Sequence, residues 1–322
     1  MDIIAGIDIG GTKYAISFAE YREDIQILER IAFPMPYSDP NSVLNHFAAC
    51  VRETVSGHKG WNLLAVGVTC GGPLDSGREV IISPPNLPKW RNVECVRILQ
   101  DLLNVPAAMQ NDADACALAE WKWGAGRGCS NMVFLTFGTG MGAGIILNNS
   151  LYSGSSGLAG EVGHLRLAED GPEGHGKAGS FEGFCSGGGI ARLGRMEAEK
   201  AIVQGNPPLF CERPEDLPHV TAKSIAEAMK KGDALAREIY TTAGSYLGRG
   251  LSVIIDILNP ERIILGGIYM RDQNFLEAPM RGQIAKEALP SSASACLILP
   301  SGLGERIGDF ASLCVGLGAV RP

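Results

Sequence analysis

The chain runs to 322 residues, longer than one hydrophobic core usually organises, so two domains are expected. Hydrophobic residues make up 45% and charged residues 20%, the balance of an ordinary globular protein. The formal net charge is −7 and no stripe of lysine and arginine interrupts it, which sets nucleic acid aside as a partner.

Met1-Asp2 leads straight into an apolar pattern, so no secretory leader is expected. Ile3–Ile9 reads as a strand and Lys13–Glu20 as a second, joined by Gly10-Gly11-Thr12. Ile25–Phe33 is a third. Asn41–Ser56 has helical spacing through Val43, Phe47, Val51 and Val55. Leu63–Thr69 is continuously apolar, as in a strand covered on both faces. Val93–Leu103 reads as helix, Ala107–Gln110 as a short strand, and Asp114–Gly124 as a helix with Asp112 or Asp114 near its N-terminus. Met132–Phe137, the glycine turn Gly138–Gly142 and Ala143–Leu147 then repeat the opening strand–turn–strand. The likeness of GIDIGGTK to TFGTGMGAGI points to two related halves facing each other. Thr221–Leu258 carries a long helical period broken at Gly232-Asp233. Arg262–Leu265 is a buried strand ending in Gly266-Gly267, and Phe310–Val320 is a final helix.

The 42 glycines cluster behind apolar runs, which suggests loops converging on one ligand. The 9 cysteines are scattered, with no C-x-C or C-x-x-C, so neither a disulfide framework nor a thiolate metal cage is expected. No apolar run spans a bilayer, and a cytoplasmic enzyme without a membrane partner is the expectation.

In Gly6-Ile-Asp8-Ile-Gly10-Gly11-Thr12, the glycines would let backbone N–H groups approach a phosphate. Asp8 could hold Mg²⁺ through water, and Thr12 could donate a hydroxyl. The same residues also suit a plain hairpin turn. The turn leads into a strand rather than a helix, which argues against a dinucleotide motif and a dehydrogenase. The second loop, Thr136-Phe-Gly138-Thr139-Gly140-Met-Gly142-Ala-Gly144, offers two hydroxyls and another backbone nest; together the loops would clamp a phosphate chain. Asp112 after Asn111 either caps a helix or accepts a hydroxyl proton as a phosphoryl group arrives, with Asn111 orienting a sugar. Glu161, His164 and Glu182, set among glycines, are hydrogen-bonding groups of the kind a sugar needs.

These residues resemble the ROK sugar kinases, within the actin and hexokinase ATPase fold. Asp8-Ile-Gly10-Gly11-Thr12-Lys13 looks like that family's first phosphate motif, and Gly71-Gly72-Pro73-Leu74-Asp75 resembles its G-x-P-G-x-x-D loop. Asn86-Leu-Pro-Lys-Trp90 matches its N-L-P-x-W sugar loop. Asn111-Asp112-Ala113-Asp114 resembles its N-D-A-N segment, in which the Asp is the catalytic base. Thr136–Gly144 is similar to the second phosphate motif, and Leu158–His164 to the A-G-E-[VL]-G-H sugar motif. Asn259-Pro260-Glu261 through Gly266-Gly267 looks like the adenosine loop, and Asp309 falls in the C-terminal nucleotide segment.

The resemblance implies an α/β fold of two actin-like (ribonuclease H-like) domains around an interdomain cleft. The first would cover 1–113 and be rejoined by a C-terminal helix at about 303–322; the second would cover 114–302. ATP and Mg²⁺ would sit between the glycine loops and Gly266-Gly267. A hexose, glucose by default, would lie against Gly72, Asn86, Asn111, Asp112, Glu161, His164 and Glu182. N-acetylmannosamine, N-acetylglucosamine and allose are alternatives, as is a sugar-responsive regulator; a homodimer is the family's usual state. The family's repressors carry a helix-turn-helix ahead of the first phosphate motif; with that motif starting at Gly6, none is expected here.

Two departures stand out. The family's zinc motif, C-x-C-G-x-x-G-C-x-E, is replaced here by Glu173-Gly-His175-Gly-Lys-Ala-Gly-Ser180-Phe-Glu182, so zinc is not expected. The second Asn of N-D-A-N is Asp114.

Overall fold

The computed structural model describes residues 1–10, 13–34 and 39–320. Strand β1 (Asp2–Ile9) pairs antiparallel with β2 (Lys13–Glu20), and β2 with β3 (Ile27–Pro34). Helix α1 (Pro40–Gly57) starts at Asp39, whose carboxylate accepts the Ser42 N–H, and buries Val43, Leu44, Phe47 and Val51. Strand β4 (Asn62–Cys70) returns parallel to β1; α2 (Cys95–Leu103) leads to β5 (Ala107–Asn111), parallel to β4.

Helix α3 (Asp112–Trp123) then crosses to a second sheet. There β6 (Met132–Leu135), β7 (Ala143–Leu147) and the short β8 (Ser150–Leu151) pair antiparallel in turn. A small hairpin of β9 (Glu173–Gly174) and β10 (Lys177–Ala178) precedes α4 (Phe181–Phe184) and α5 (Gly187–Val203). Helices α6 (Ala222–Lys230) and α7 (Ala234–Leu258) divide between Lys230 and Ala234, where Asp233 caps α7. Strand β11 (Arg262–Leu265), α8 (Ile268–Glu287), α9 (Pro290–Ala295), β12 (Leu297–Pro300) and α10 (Ile307–Val320) complete the chain.

The two sheets share one topology. The first has the order β3-β2-β1-β4-β5, the second β8-β7-β6-β11-β12. In each, a hairpin supplies the antiparallel half and two crossovers add the parallel half. The internal repeat read from two glycine turns thus extends over whole sheets, giving the two-domain actin-like architecture.

Helices α3 and α10 are sandwiched between the sheets. Helix α10 lies on β1 and β4 and against α3, while α3 packs on β6 and β7. A separate apolar cluster joins them, with Ala115, Ala119, Met132, Phe134, Ile264, Ala311 and Val315 buried together. The close approach depends on glycine: a Cβ on Gly67 of β4 would collide with Gly316 N and Ser312 O of α10, and one on Gly144 of β7 with Ala113 O of α3. No described helix is long and apolar enough to cross a membrane.

Candidate active site

A cavity of about 620 Å³ opens between the two sheets. Its floor is the junction of β5 and α3. Asn111 caps α3, its side-chain oxygen accepting the Ala113 N–H at 3.0 Å, and this turns Asp112 toward the opening. Asp112 is therefore not the helix cap. Its Oδ1 accepts the Ala113 N–H at 2.8 Å. The carboxylate is open to the cavity, yet the surrounding walls strip water from it, and this raises its pKa. The Ala113 amide opposes the rise and the Glu161 charge adds to it.

Two hydroxyl-rich or glycine-rich strand ends meet on one side of this floor. Asp8, at the end of β1, accepts the Thr69 hydroxyl at 2.9 Å. Enclosure pushes its pKa up to about 6, against the Thr69 hydrogen bond and with repulsion from Asp112 and Asp309. Gly308, in the first turn of α10, lies so close that a Cβ there would stand 2.6 Å from Asp8 Oδ2. Across the opening, the loop from Thr136 to Ala143 closes on itself. Thr136 N donates to Gly142 O at 2.9 Å, Gly142 N to Thr136 Oγ1 at 2.9 Å, and Gly138 N to Gly140 O at 3.1 Å. Behind it, Gly187 N at the start of α5 donates to Gly138 O at 2.7 Å. Such a ring of small residues admits an anionic group to backbone donors.

The other side is polar and carries the groups a polyol needs. Asn86, Asn111, Glu161, His164 and Glu182 all line the cavity. Glu182 is buried at the start of α4; its Oε2 accepts the Met141 N–H at 3.0 Å and lies 3.2 Å from His175 Nε2. The His175 ring stacks on that of His164, with centroids 4.9 Å apart. Ser180 is wholly buried as the α4 cap, accepting the Gly183 N–H at 3.1 Å and donating to Gly174 O at 3.4 Å. That hydroxyl is committed to backbone partners, so Ser180 does not offer the thiolate-like ligand of a structural zinc site. Among the described residues no three histidine, cysteine or acidic side chains are grouped to hold a metal.

The fold thus brings Gly10, Gly72, Asn86, Asn111, Asp112, Thr136, Gly138, Thr139, Gly140, Glu161, His164 and Glu182 to one wall or another of the cavity. Gly11 and Thr12 lie outside the described residues. Lys13 opens β2 and is exposed; it is not on the wall, though its carbonyl accepts the Gly10 N–H at 3.1 Å. Gly266 and Gly267 lie behind the second glycine loop, where Ile268 N donates to Phe137 O at 2.7 Å. Asp309 is also set back, its buried carboxylate taken by Arg30 Nε at 2.8 and 2.9 Å and by Ser17 Oγ at 2.9 Å.

One wall residue, Arg78, carried no sequence signal, and neither did its pairing with Asp114. Arg78, at φ +57°, reaches across to Asp114 Oδ2 at 3.2 Å and Ser153 Oγ at 2.5 Å. Enclosure raises the buried Asp114 to about 6, with Arg78 pulling the other way and Asp112 and Glu161 adding to the rise. The charge at Asp114 is thus matched by a cation from a distant loop.

Comparison with known proteins places this geometry in context. The ROK family model matches residues 4–311. The glucokinase of Streptomyces coelicolor is 30% identical over 282 residues, 87% of this chain and 86% of that one. A ROK family glucokinase from Streptomyces griseus, solved with glucose and AMPPNP, superposes with a TM-score of 0.79 at 26% identity, covering 98% of this chain and 99% of that one. A ROK family transcriptional regulator, homologous to the E. coli MLC protein, has a TM-score of 0.85 at 22% identity, covering 99% of this chain and 78% of that one; this is a likeness of fold.

Proposed function

The chain belongs to the ROK family, and from that premise we propose that it is an ATP-dependent kinase of a free hexose, acting on glucose at the 6-hydroxyl. One observation carries the reading. Asp112 is held at the cavity floor, between a glycine loop fit for phosphates and a wall of Asn86, Asn111, Glu161, His164 and Glu182 fit for a sugar.

The residues divide the work. Asn86, Asn111, Glu161, His164 and Glu182 would fix the hexose by hydrogen bonds, so that one hydroxyl points at Asp112. Its carboxylate accepts that hydroxyl's proton as the oxygen bonds to the γ-phosphorus and the bond to the β–γ bridging oxygen breaks, releasing ADP. A raised pKa suits this role, since a stronger base takes the proton more readily. When bound, Mg–ATP supplies the transferable phosphoryl group and neutralises its charge. Asp8, at the end of β1, would hold the metal through water. Gly10, Gly11, Thr12, Lys13 and Thr136–Gly140 would receive the phosphates, and Gly266, Gly267 and Asp309 the nucleoside end. The proposed domains are 1–113 with 303–322, and 114–302, working as a cytoplasmic homodimer.

The experiment is a coupled ADP-release screen with Mg–ATP over glucose, N-acetylmannosamine, N-acetylglucosamine, allose and other free sugars. Glucose should stimulate release most. Faster release with an N-acylhexosamine would move the substrate within the class, and no stimulation by any sugar would reject the kinase reading.

A further inference from the structure

The site contains one contact that the assignments above leave unused. The β9–β10 hairpin turns on His175 and Gly176, both at positive φ (49° and 71°), the conformation of a two-residue hairpin turn. That turn places His175 Nε2 at 3.2 Å from Glu182 Oε2 and lays its ring on His164. The same hairpin sends Lys177 Nζ to His164 O at 2.8 Å. Its base is fastened independently: Leu167 N donates to Gly179 O at 2.8 Å, and Arg166 donates to Ala178 O at 2.8 Å. The hairpin is thus fastened at its base by its own hydrogen bonds and presents His175 as its tip.

We infer that His175 is a positioning residue that aims Glu182 and His164 at the sugar; this rests on the kinase reading. Glu182 Oε2 accepts from the Met141 N–H on one side and meets His175 Nε2 on the other. Among the described residues no donor reaches Oε1, which leaves that oxygen for a sugar hydroxyl. A buried carboxylate whose Oε2 is bonded by the Met141 amide and lies 3.2 Å from His175 Nε2 has little freedom to rotate, so its other oxygen is held in place before the sugar arrives. The pair also ties the sugar wall to the phosphate loop, because Met141 belongs to the loop and a Cβ on Gly140 would stand 2.8 Å from Glu182 Oε2. His175 itself is exposed, so its loss removes a tether without opening the core.

The test compares His175→Ala, His175→Gln and His175→Phe in the full chain. Steady-state kinetics and calorimetry use the sugar that turns over fastest. Alanine should raise sugar KM and Kd about tenfold, the loss of one polar contact to a buried carboxylate, with kcat and ATP KM changed by about twofold or less. Glutamine, whose amide can donate to Glu182, should restore most of the affinity, while phenylalanine, which keeps the ring but not the N–H, should follow alanine. An alanine variant that melts like wild type and binds sugar with unchanged Kd overturns the inference. So does glutamine behaving no better than phenylalanine, or stoichiometric zinc in the wild type that the alanine variant loses. If the alanine variant is poorly folded, the glutamine–phenylalanine comparison decides alone. A wild type that turns over no sugar would count against the kinase reading instead, and calorimetry with glucose would still read His175.

Discussion

In the proposed kinase the chemistry falls on one side chain, Asp112, and the surroundings of that carboxylate suit it to the role. Asn111, rather than Asp112, satisfies the free amides of α3, so the carboxylate is released from capping duty. Cap and base stand as alternatives in the sequence because both fit an acidic residue at a strand–helix junction. Which residue caps is decided by backbone angles, and here Asn111 takes the extended ψ of 142°. Replacing Asp112 by Asn keeps the size and the Ala113 contact but removes the basic oxygen. Turnover should fall by about 10²–10⁴, with sugar affinity by calorimetry close to wild type. Wild-type kcat in that variant would return Asp112 to a structural role.

At the scale of elements, the arrangement depends on strands that carry glycine where a helix crosses them. Gly67 of β4 meets the backbone of α10 at Ser312 and Gly316, and backbone cannot yield as a flexible side chain can. Gly67→Ala should therefore cost about 1–3 kcal/mol by chemical denaturation, toward the upper end. Stability equal to wild type would show that α10 slides freely on the sheet. Strands such as Lys13–Glu20, Ala143–Leu147 and Arg262–Leu265 were legible to the residue, because an apolar run bounded by glycine or charge admits few other readings. Helix α5 was not, since it opens on Gly187-Gly188-Gly189, residues that disfavour helix. Ser186 caps it, and Gly189 packs against Gly183 O where no Cβ fits, so tertiary contact overrides propensity. Helix α8 was hidden by a kink at Asp272 and by Pro279. In the cavity, wall residues such as Asn86, Asn111, Asp112, Glu161, His164 and Glu182 were readable from motifs one by one, whereas Asp8, Lys13, Gly266, Gly267 and Asp309 lie off its lining. The Arg78–Asp114 pair was not, because it joins a loop to a helix start through a left-handed backbone that no local pattern announces.

Across the whole molecule, enclosure around the cleft gathers three carboxylates, of which, among the described residues, Asp114 alone is paired with a cation, Arg78. Asp8 comes from one sheet, Asp112 and Asp114 from the helix between the sheets, and all three are raised above the ordinary carboxyl value by enclosure first. Linkage sets the sign of their effect. A group whose folded pKa is raised holds its proton more tightly in the folded chain, so stability falls as pH rises from the unfolded value near 3.8 to the folded value near 6, and is level above it. Carboxylates with lowered values act oppositely, but only below the unfolded value. Asp75, whose desolvation is outweighed by three backbone N–H groups, and Asp216, bonded to Arg213, are two of them. The interval from about 4 to 6 therefore belongs to the cleft. Denaturation midpoints of the ligand-free protein should drop through that interval, and Asp114→Asn should drop less, having one raised carboxyl fewer. The attraction to Arg78 is already contained in the folded value near 6, and below it Asp114 is protonated in the wild type as well, so losing that partner adds no further pH dependence in this interval. Parallel curves for the two proteins between about pH 4 and 6 would remove Asp114 from this account.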